Sequence, residues 1–287
     1  MRMLLTGLAA ALVTALLPPV PAVASPVADH YHTATSTSDN SPRKGVTVSC
    51  PEGQIVYGFG GATVDSDGNV ALVGIFPSED LTTVTAIAQA RGGWVGNWSV
   101  RAAATCWAPG DQALQRIVGP GGWASCPGGK MLYSSGYAVS STTGSAYADA
   151  VVPSPDLSGV YVRGGGAPAA GLQVTAVALC GLRMPQAGTL PDYKERTEDT
   201  VPVSAESTTT TVAPLPQWQG LGYVFVFGAG VSSTRPGMFI DALGPGPELA
   251  HGWARMSRGT SALRGQAMVA DDEDEVTVYG VCIGSWY

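Results

Sequence analysis

The chain has 287 residues and a formal net charge of -7, with only 13% of its residues charged. An acidic surface of this kind repels phosphate backbones, which argues against nucleic acid as a partner. The 38 glycines, 21 prolines and 45% hydrophobic residues, with no sustained 3.6-residue period beyond the N-terminal segment, exclude a helix-rich or disordered protein and predict short strands joined by turns.

Residues 1–24 read as a signal peptide: Arg2, the apolar run "MLLTGLAAALVTALL", then "AVA" before Ser25. The run is about 15 residues long and stops at "PPVP", short of the roughly 20 that cross a bilayer. The expected product is secreted and extracellular, with no membrane span in the mature chain. Residues 25–44, "SPVADHYHTATSTSDNSPRK", are polar and read as a mobile N-terminal arm carrying His30 and His32.

From residue 45 onward two landmarks recur at one spacing. "SCPEG" begins at Ser49 and "SCPGG" at Ser125, while "FPSEDL" begins at Phe76 and "VPSPDL" at Val152, in both cases 76 residues apart. Landmarks in register mean an internal repeat. The copies span 45–119 and 120–183, and a more divergent third spans 213–287, all within one β domain, 45–287. The Thr- and Pro-rich stretch 184–212 between the last two reads as an exposed linker with a strand at its end. The superposition aligns Pro77, Pro153 and Pro245, then Leu81, Leu157 and Leu249, then Cys106, Cys180 and Cys282.

Within the first copy, "DSDGN" at Asp65–Asn69 predicts a hairpin turn. Asp65 and Asp67 are weak calcium candidates, because the loop lacks the downstream glutamate and the other copies carry "SSTTGS" and "SSTRPG" there. The three prolines follow apolar runs and are expected to end strands. Asp80, Asp156 and Glu248, three residues on, are placed to accept bonds from the turn backbone. Counting back by twos from each closing cysteine gives Ala104, Ala102 and Val100, then Ala178, Ala176 and Val174, then Gly280, Val278 and Val276. Strand side chains alternate, so these positions form one buried face.

The first two copies each open and close with a cysteine, predicting disulfides Cys50–Cys106 and Cys126–Cys180, with Cys106–Cys126 left open as an alternative. Cys282 is the odd thiol, expected buried as a small hydrophobe, with an intermolecular disulfide as the sharper reading. In the third copy His251, Trp253 and Arg255 alternate along one strand and are the candidate ligand-binding residues. "DDEDE" at 271–275 reads as a solvated charge run, with Asp271 and Asp272 as weak cation candidates.

Catalytic constellations are scarce. No G-x-S-x-G elbow, H-E-x-x-H helix or Walker loop accompanies the three histidines, the cysteines lack C-x-x-C spacing, and no catalytic residue, zinc site or cofactor is expected.

The stretches "GNWSVRAAATC", "ALQRIVGPGGWASCPGGK" and "LQVTAVALC" resemble a repeat of secreted actinobacterial proteins, built from a Cys-Pro-x-Gly opening and a Gly-Asn-Trp-Ser-Val…Cys closing. "CPEGQIVYGFG" is similar to the opening of the egg vitelline membrane outer layer protein family. That second resemblance implies a disulfide-held β-prism of three four-stranded Greek-key sheets in an extracellular coat. Independently, three units of about four strands, each too small to bury its own apolar face, predict a three-fold pseudo-symmetric closed all-β fold, a β-prism rather than the alternative β-trefoil-like fold.

The expected function is non-catalytic, lectin-like binding of glycans or cell-envelope components. A hydrolase or transferase centred on the third copy and a structural coat protein are the alternatives.

Overall fold

A computed structural model describes residues 28–142, 144–166, 171–182, 194–202, 207–212, 223–258 and 274–285. The expected signal peptide, Asp271 and Asp272 lie outside the described residues. No α-helix occurs among those described, and none is long and apolar enough to cross a membrane. Among the described residues a single 3-10 turn, Ala28–His30, precedes eighteen strands.

The strands fall into three consecutive runs of six. The first run is β1 (Tyr31–Thr35), β2 (Arg43–Ser49), β3 (Ile55–Val64), β4 (Val70–Pro77), β5 (Thr83–Ala90) and β6 (Ser99–Trp107). The second is β7 (Gln115–Pro120), β8 (Trp123–Ser125), β9 (Lys130–Ser140), β10 (Tyr147–Pro153), β11 (Gly159–Gly165) and β12 (Gln173–Leu182). The third is β13 (Lys194–Pro202), β14 (Ser207–Val212), β15 (Tyr223–Ser233), β16 (Phe239–Pro245), β17 (Gly252–Ser257) and β18 (Glu275–Ser285).

These strands build three antiparallel six-stranded sheets, ordered β1-β6-β3-β16-β17-β14, β2-β5-β4-β9-β12-β7 and β13-β18-β15-β10-β11-β8. Every run therefore gives its first, third and sixth strands to one sheet and its second, fourth and fifth to another. No sheet is made by one run alone.

The seams between runs are short, with two register pairs each: β3 with β16, β4 with β9, and β10 with β15. Backbones approach closely there, so a Cβ at Gly60, Gly136 or Gly230 would run into the carbonyl of Leu243, Ile75 or Val151 respectively. This accounts for the glycines in the otherwise apolar strands β3, β9 and β15.

Two expectations need correction. The segment assigned to a mobile arm is ordered from Ala28 onward: β1 pairs with β6 from Tyr31↔Thr105 to Thr35↔Arg101, and β2 pairs with β5. Lys44, buried, fixes the connection between them by donating from Nζ to the carbonyls of Thr37, Asp39 and Trp98, while sitting 4.6 Å from the centre of the Trp98 ring. His30 stacks on Trp107 at 4.3 Å and its Nδ1 lies 2.9 Å from the Cys106 carbonyl oxygen. The segment assigned to an exposed linker likewise supplies β13 to β18, besides β14, the strand expected at its end, to β17. Each unit consequently has six strands where about four were expected.

The closing strands bury the face that their alternation predicts, except at the half-buried Val174, and much of the opposite face as well. Trp98, Val100, Ala102, Ala104 and Cys106 are all buried, as are Ala176, Ala178 and Cys180, then Val276, Val278 and Cys282. Disulfides join Cys50 to Cys106 and Cys126 to Cys180, across 56 and 54 positions of sequence. Cys50 follows β2 and Cys106 lies on β6, so the bond staples the two sheets that the first run feeds; the second bond does the same for the second run. Cys282 is buried, its Sγ 3.4 Å from Thr197 Oγ1.

The recurring Pro-Ser-x-Asp-Leu stretch is a strand end and turn. β4, β10 and β16 end at Pro77, Pro153 and Pro245. Leu81, Leu157 and Leu249 follow with φ of 59°, 57° and 53°. A left-handed leucine costs about 1–2 kcal/mol. Burying its side chain returns roughly 2 kcal/mol, and all three are buried. Their carbonyls also accept bonds from Val56, Leu132 and Val226, tying each turn to the start of the preceding long strand. Asp80 and Asp156 cap the turns. The Ser78 hydroxyl and the Thr82 amide and hydroxyl hold the Asp80 carboxyl below its usual value. The Ser158 amide leads in lowering Asp156 to about 2.

Candidate functional site

Strand β17 separates its residues cleanly. Ala254 and Met256 are buried inward, whereas His251, just before the strand, Trp253 and Arg255 are half-buried on the outer side. The three candidates thus share a face but not a role. His251 lies over the β16–β17 turn: its carbonyl accepts from the Gly246 amide, and its ring would collide with a Cβ at Gly246. Trp253 donates from Nε1 to the Pro245 carbonyl at 3.1 Å, which fixes its ring against the hairpin.

Arg255 is the hub. Its Nε donates to Asp241 Oδ1 at 2.8 Å, and one terminal nitrogen donates to the Thr63 carbonyl at 2.8 Å and to Thr63 Oγ1 at 3.1 Å. The guanidinium therefore bridges the β3–β16 seam, joining the third run to the first.

Asp241 went unnoticed in the sequence, although a carboxylate inside "MFIDALG" interrupts an otherwise apolar strand. It sits at a β-bulge between Ile240 and Ala242, opposite Met256 and Arg255. An extra residue on one strand re-aims its side chain, and bulges concentrate near functional sites. Asp241 is fully buried, and Oδ2 accepts from Ser257 Oγ at 2.7 Å. Burial pushes its pKa above the usual carboxyl value, outweighing the opposing pull of Arg255 and Ser257. The same charge, after burial itself, helps push the Tyr137 hydroxyl well above its ordinary value; that hydroxyl donates to the Leu72 carbonyl.

The turn between β3 and β4 completes the site. Asp65 and Asp67 have φ of 55° and 46°, the region where Asp and Asn are tolerated best among non-glycine residues. The Asn69 amide donates to the Ser66 carbonyl at 2.8 Å, and Ser66 Oγ lies 2.8 Å from Thr63 Oγ1. Asp65, Ser66, Asp67, Gly68, Asp241 and Arg255 line a cleft of about 300 Å³. The turn that suggested calcium and the strand that suggested a ligand are thereby brought to one place, across the seam. Among the described residues no group of three or more His, Cys, Asp or Glu is placed to hold a metal ion.

The second run carries the same device in shallower form. Asp149 sits at the matching bulge of β10, between Ala148 and Ala150, and its Oδ1 accepts from Arg163 Nε at 2.8 Å. Their side chains are 22% and 50% exposed. In the first run the matching positions are the apolar Val73 and Ile87.

The chain matches no protein-family model and no curated protein.

Proposed function

We propose that this is an exported, non-catalytic binding protein whose three sheets form the walls of a pseudo-threefold β-prism, and that it captures neutral glycan or cell-envelope material. Support for the prism comes from the sharing of strands between runs, repeated in all three sheets, and from the glycine at each seam. The resemblance to secreted actinobacterial repeat proteins and to the vitelline coat family points the same way. Two disulfides suit an oxidising, extracellular setting.

One observation carries the binding role: Arg255, held rigid by Asp241 and Thr63, opens onto a cleft with Asp65 and Asp67, while Trp253 lies two residues along the same face. An immobilised indole offers an apolar surface to the C–H face of a pyranose. Carboxylates and a fixed guanidinium near it suit the ring hydroxyls. On a glycan array, reproducible binding that disappears in Trp253→Ala supports this site; binding indifferent to that change removes it.

A hydrolase is favoured by one feature, a buried carboxyl of raised pKa sharing a cleft with two other carboxylates, as acid and base do in glycosidases. The hydrogen bonds count against it. Both Asp241 oxygens already accept, from Arg255 Nε and Ser257 Oγ, so each is turned to a protein partner rather than to a leaving oxygen. Turnover in a glycosidase, esterase and protease panel, lost in Asp241→Asn, would reverse that judgement.

A further inference from the structure

The largest exposed aromatic surface among the described residues lies away from the third-run cleft, on the outer face of β11 and β8. Trp123 and Tyr161 are opposite one another in the strand register, and they are 46% and 43% exposed. Rings so paired stand about 5 Å apart at Cβ. Val152 of β10 extends the row across a third strand, being the register partner of Tyr161. Trp123 donates from Nε1 to Ser125 Oγ, which sets the plane of its indole. Arg163, two residues from Tyr161 on the same face, carries the Asp149 ion pair alongside.

The fold does not call for rings at this place. The matching pair in the first run is Thr47 and Thr85, whose hydroxyls bond to each other at 2.8 Å. In the third run the pair is Thr211 and Trp253. Two threonines satisfy the same sheet geometry, and each aromatic residue leaves more than two-fifths of its surface exposed in this one, so packing alone does not account for the pair.

The surroundings also define the ligand. Asp149 and Arg163 on this face neutralise each other, the exposed Asp156 stands at the β10–β11 turn, and the whole chain carries a formal charge of -7. An anionic ligand meets net repulsion, and the Asp149 carboxylate on this face is already paired with Arg163. A neutral, flat chain of hydroxylated rings meets an apolar platform for its C–H faces and an exposed guanidinium for its hydroxyls.

We infer that Trp123 and Tyr161 form a second carbohydrate-stacking site, for a neutral β-linked pyranose chain, separate from the Trp253 cleft. The site extends the glycan reading but is independent of the residues on which that reading rests. Two sites on different sheets of one chain would let it hold a polymer at two points, raising avidity without further contacts.

The test is calorimetric titration of the full secreted chain with the N-acetylglucosamine tetramer and with cellotetraose, comparing wild type, Trp123→Thr/Tyr161→Thr and Trp253→Ala. The threonine pair copies the first run, so the fold tolerates it, and an unchanged thermal midpoint checks this. The expected result is a Kd at least about tenfold weaker for one of these probes in Trp123→Thr/Tyr161→Thr, as for loss of an aromatic hot spot. Binding unchanged in that variant, or absent from wild type for both probes, overturns the second site. Loss in Trp253→Ala alone overturns it while leaving the third-run site standing; loss in the threonine variant alone does the reverse. A dimer that the threonine variant dissociates, without any sugar binding, assigns the platform to a second copy of this chain and also overturns it.

Discussion

Asp149–Arg163 and Asp241–Arg255 occupy the same bulge in successive runs and share the same 2.8 Å contact, yet they lie in different media. The Asp149 pair stands at the surface, one partner 50% exposed; Asp241 is sealed, and its arginine reaches across a seam to Thr63. Water screens the first, so its net worth is about 0–1 kcal/mol. The second had to be desolvated, so its value lies in leaving neither partner alone. Equal distances thus conceal unequal consequences, and the buried member is the one bound to the architecture.

Removing Arg255 is the most damaging way to break the comparison. Arg255→Ala leaves a buried carboxylate without its counter-ion and cuts the link to Thr63, and it should cost about 3–5 kcal/mol in denaturant titration. A loss under about 1 kcal/mol would mean that the buried pair behaves like the exposed one. The first run suggests a rescue, since it fills these positions with Val73 and Ile87. Asp241→Val/Arg255→Ile should recover most of the stability that Arg255→Ala loses, because an apolar pair needs no desolvation. If the double variant is no better than the single one, the Thr63 bridge rather than the ion pair carries the energy.

Acid sharpens the contrast further. Burial raises the Asp241 pKa, so the folded state holds that proton more tightly than the unfolded chain does. The resulting stability is fully present below the ordinary value of 3.8 and is lost as pH rises through the raised one. The turn carboxylate Asp156, lowered to about 2, acts oppositely: its contribution is present above 3.8 and fades as pH falls toward 2. Relative to Asp241→Asn, the wild type should therefore gain stability as pH is lowered from neutrality to 3.8, measured by chemical denaturation at successive pH values.

How much of this was legible beforehand depends on where side chains point. The closing strands were readable because small and apolar residues recur at every second position from Trp98 to Cys106 and from Val276 to Cys282, although Ala103, Thr105 and Val281 on the opposite face are buried as well. The leucine turns could be found because proline and aspartate frame them, although the left-handed backbone could not. Strands β1 and β13, "YHTAT" and "KERTEDTVP", escaped notice because edge strands lean on a single neighbour, and polar or charged residues without apolar alternation look like linker. Arg255 was singled out for its neighbour Trp253. Its actual partners lie 14 and 192 positions away, and no local pattern encodes a bulge that turns Asp241 toward it.

The mildest change is the strictest check, since it asks whether exposure alone sets the difference. Asp149→Ala removes a contact as short as the Asp241 one, at an equivalent bulge, from a carboxylate that is only 22% exposed itself. Its arginine is half in water and also donates to the Ser233 carbonyl at 3.3 Å, so it keeps solvation and one partner after the loss. The expected change is within about 1 kcal/mol by denaturant titration, falling further as salt is added. A loss near that of Arg255→Ala, unaffected by salt, would mean that Asp149 braces its own bulge, and solvent would no longer account for the divergence of the two pairs.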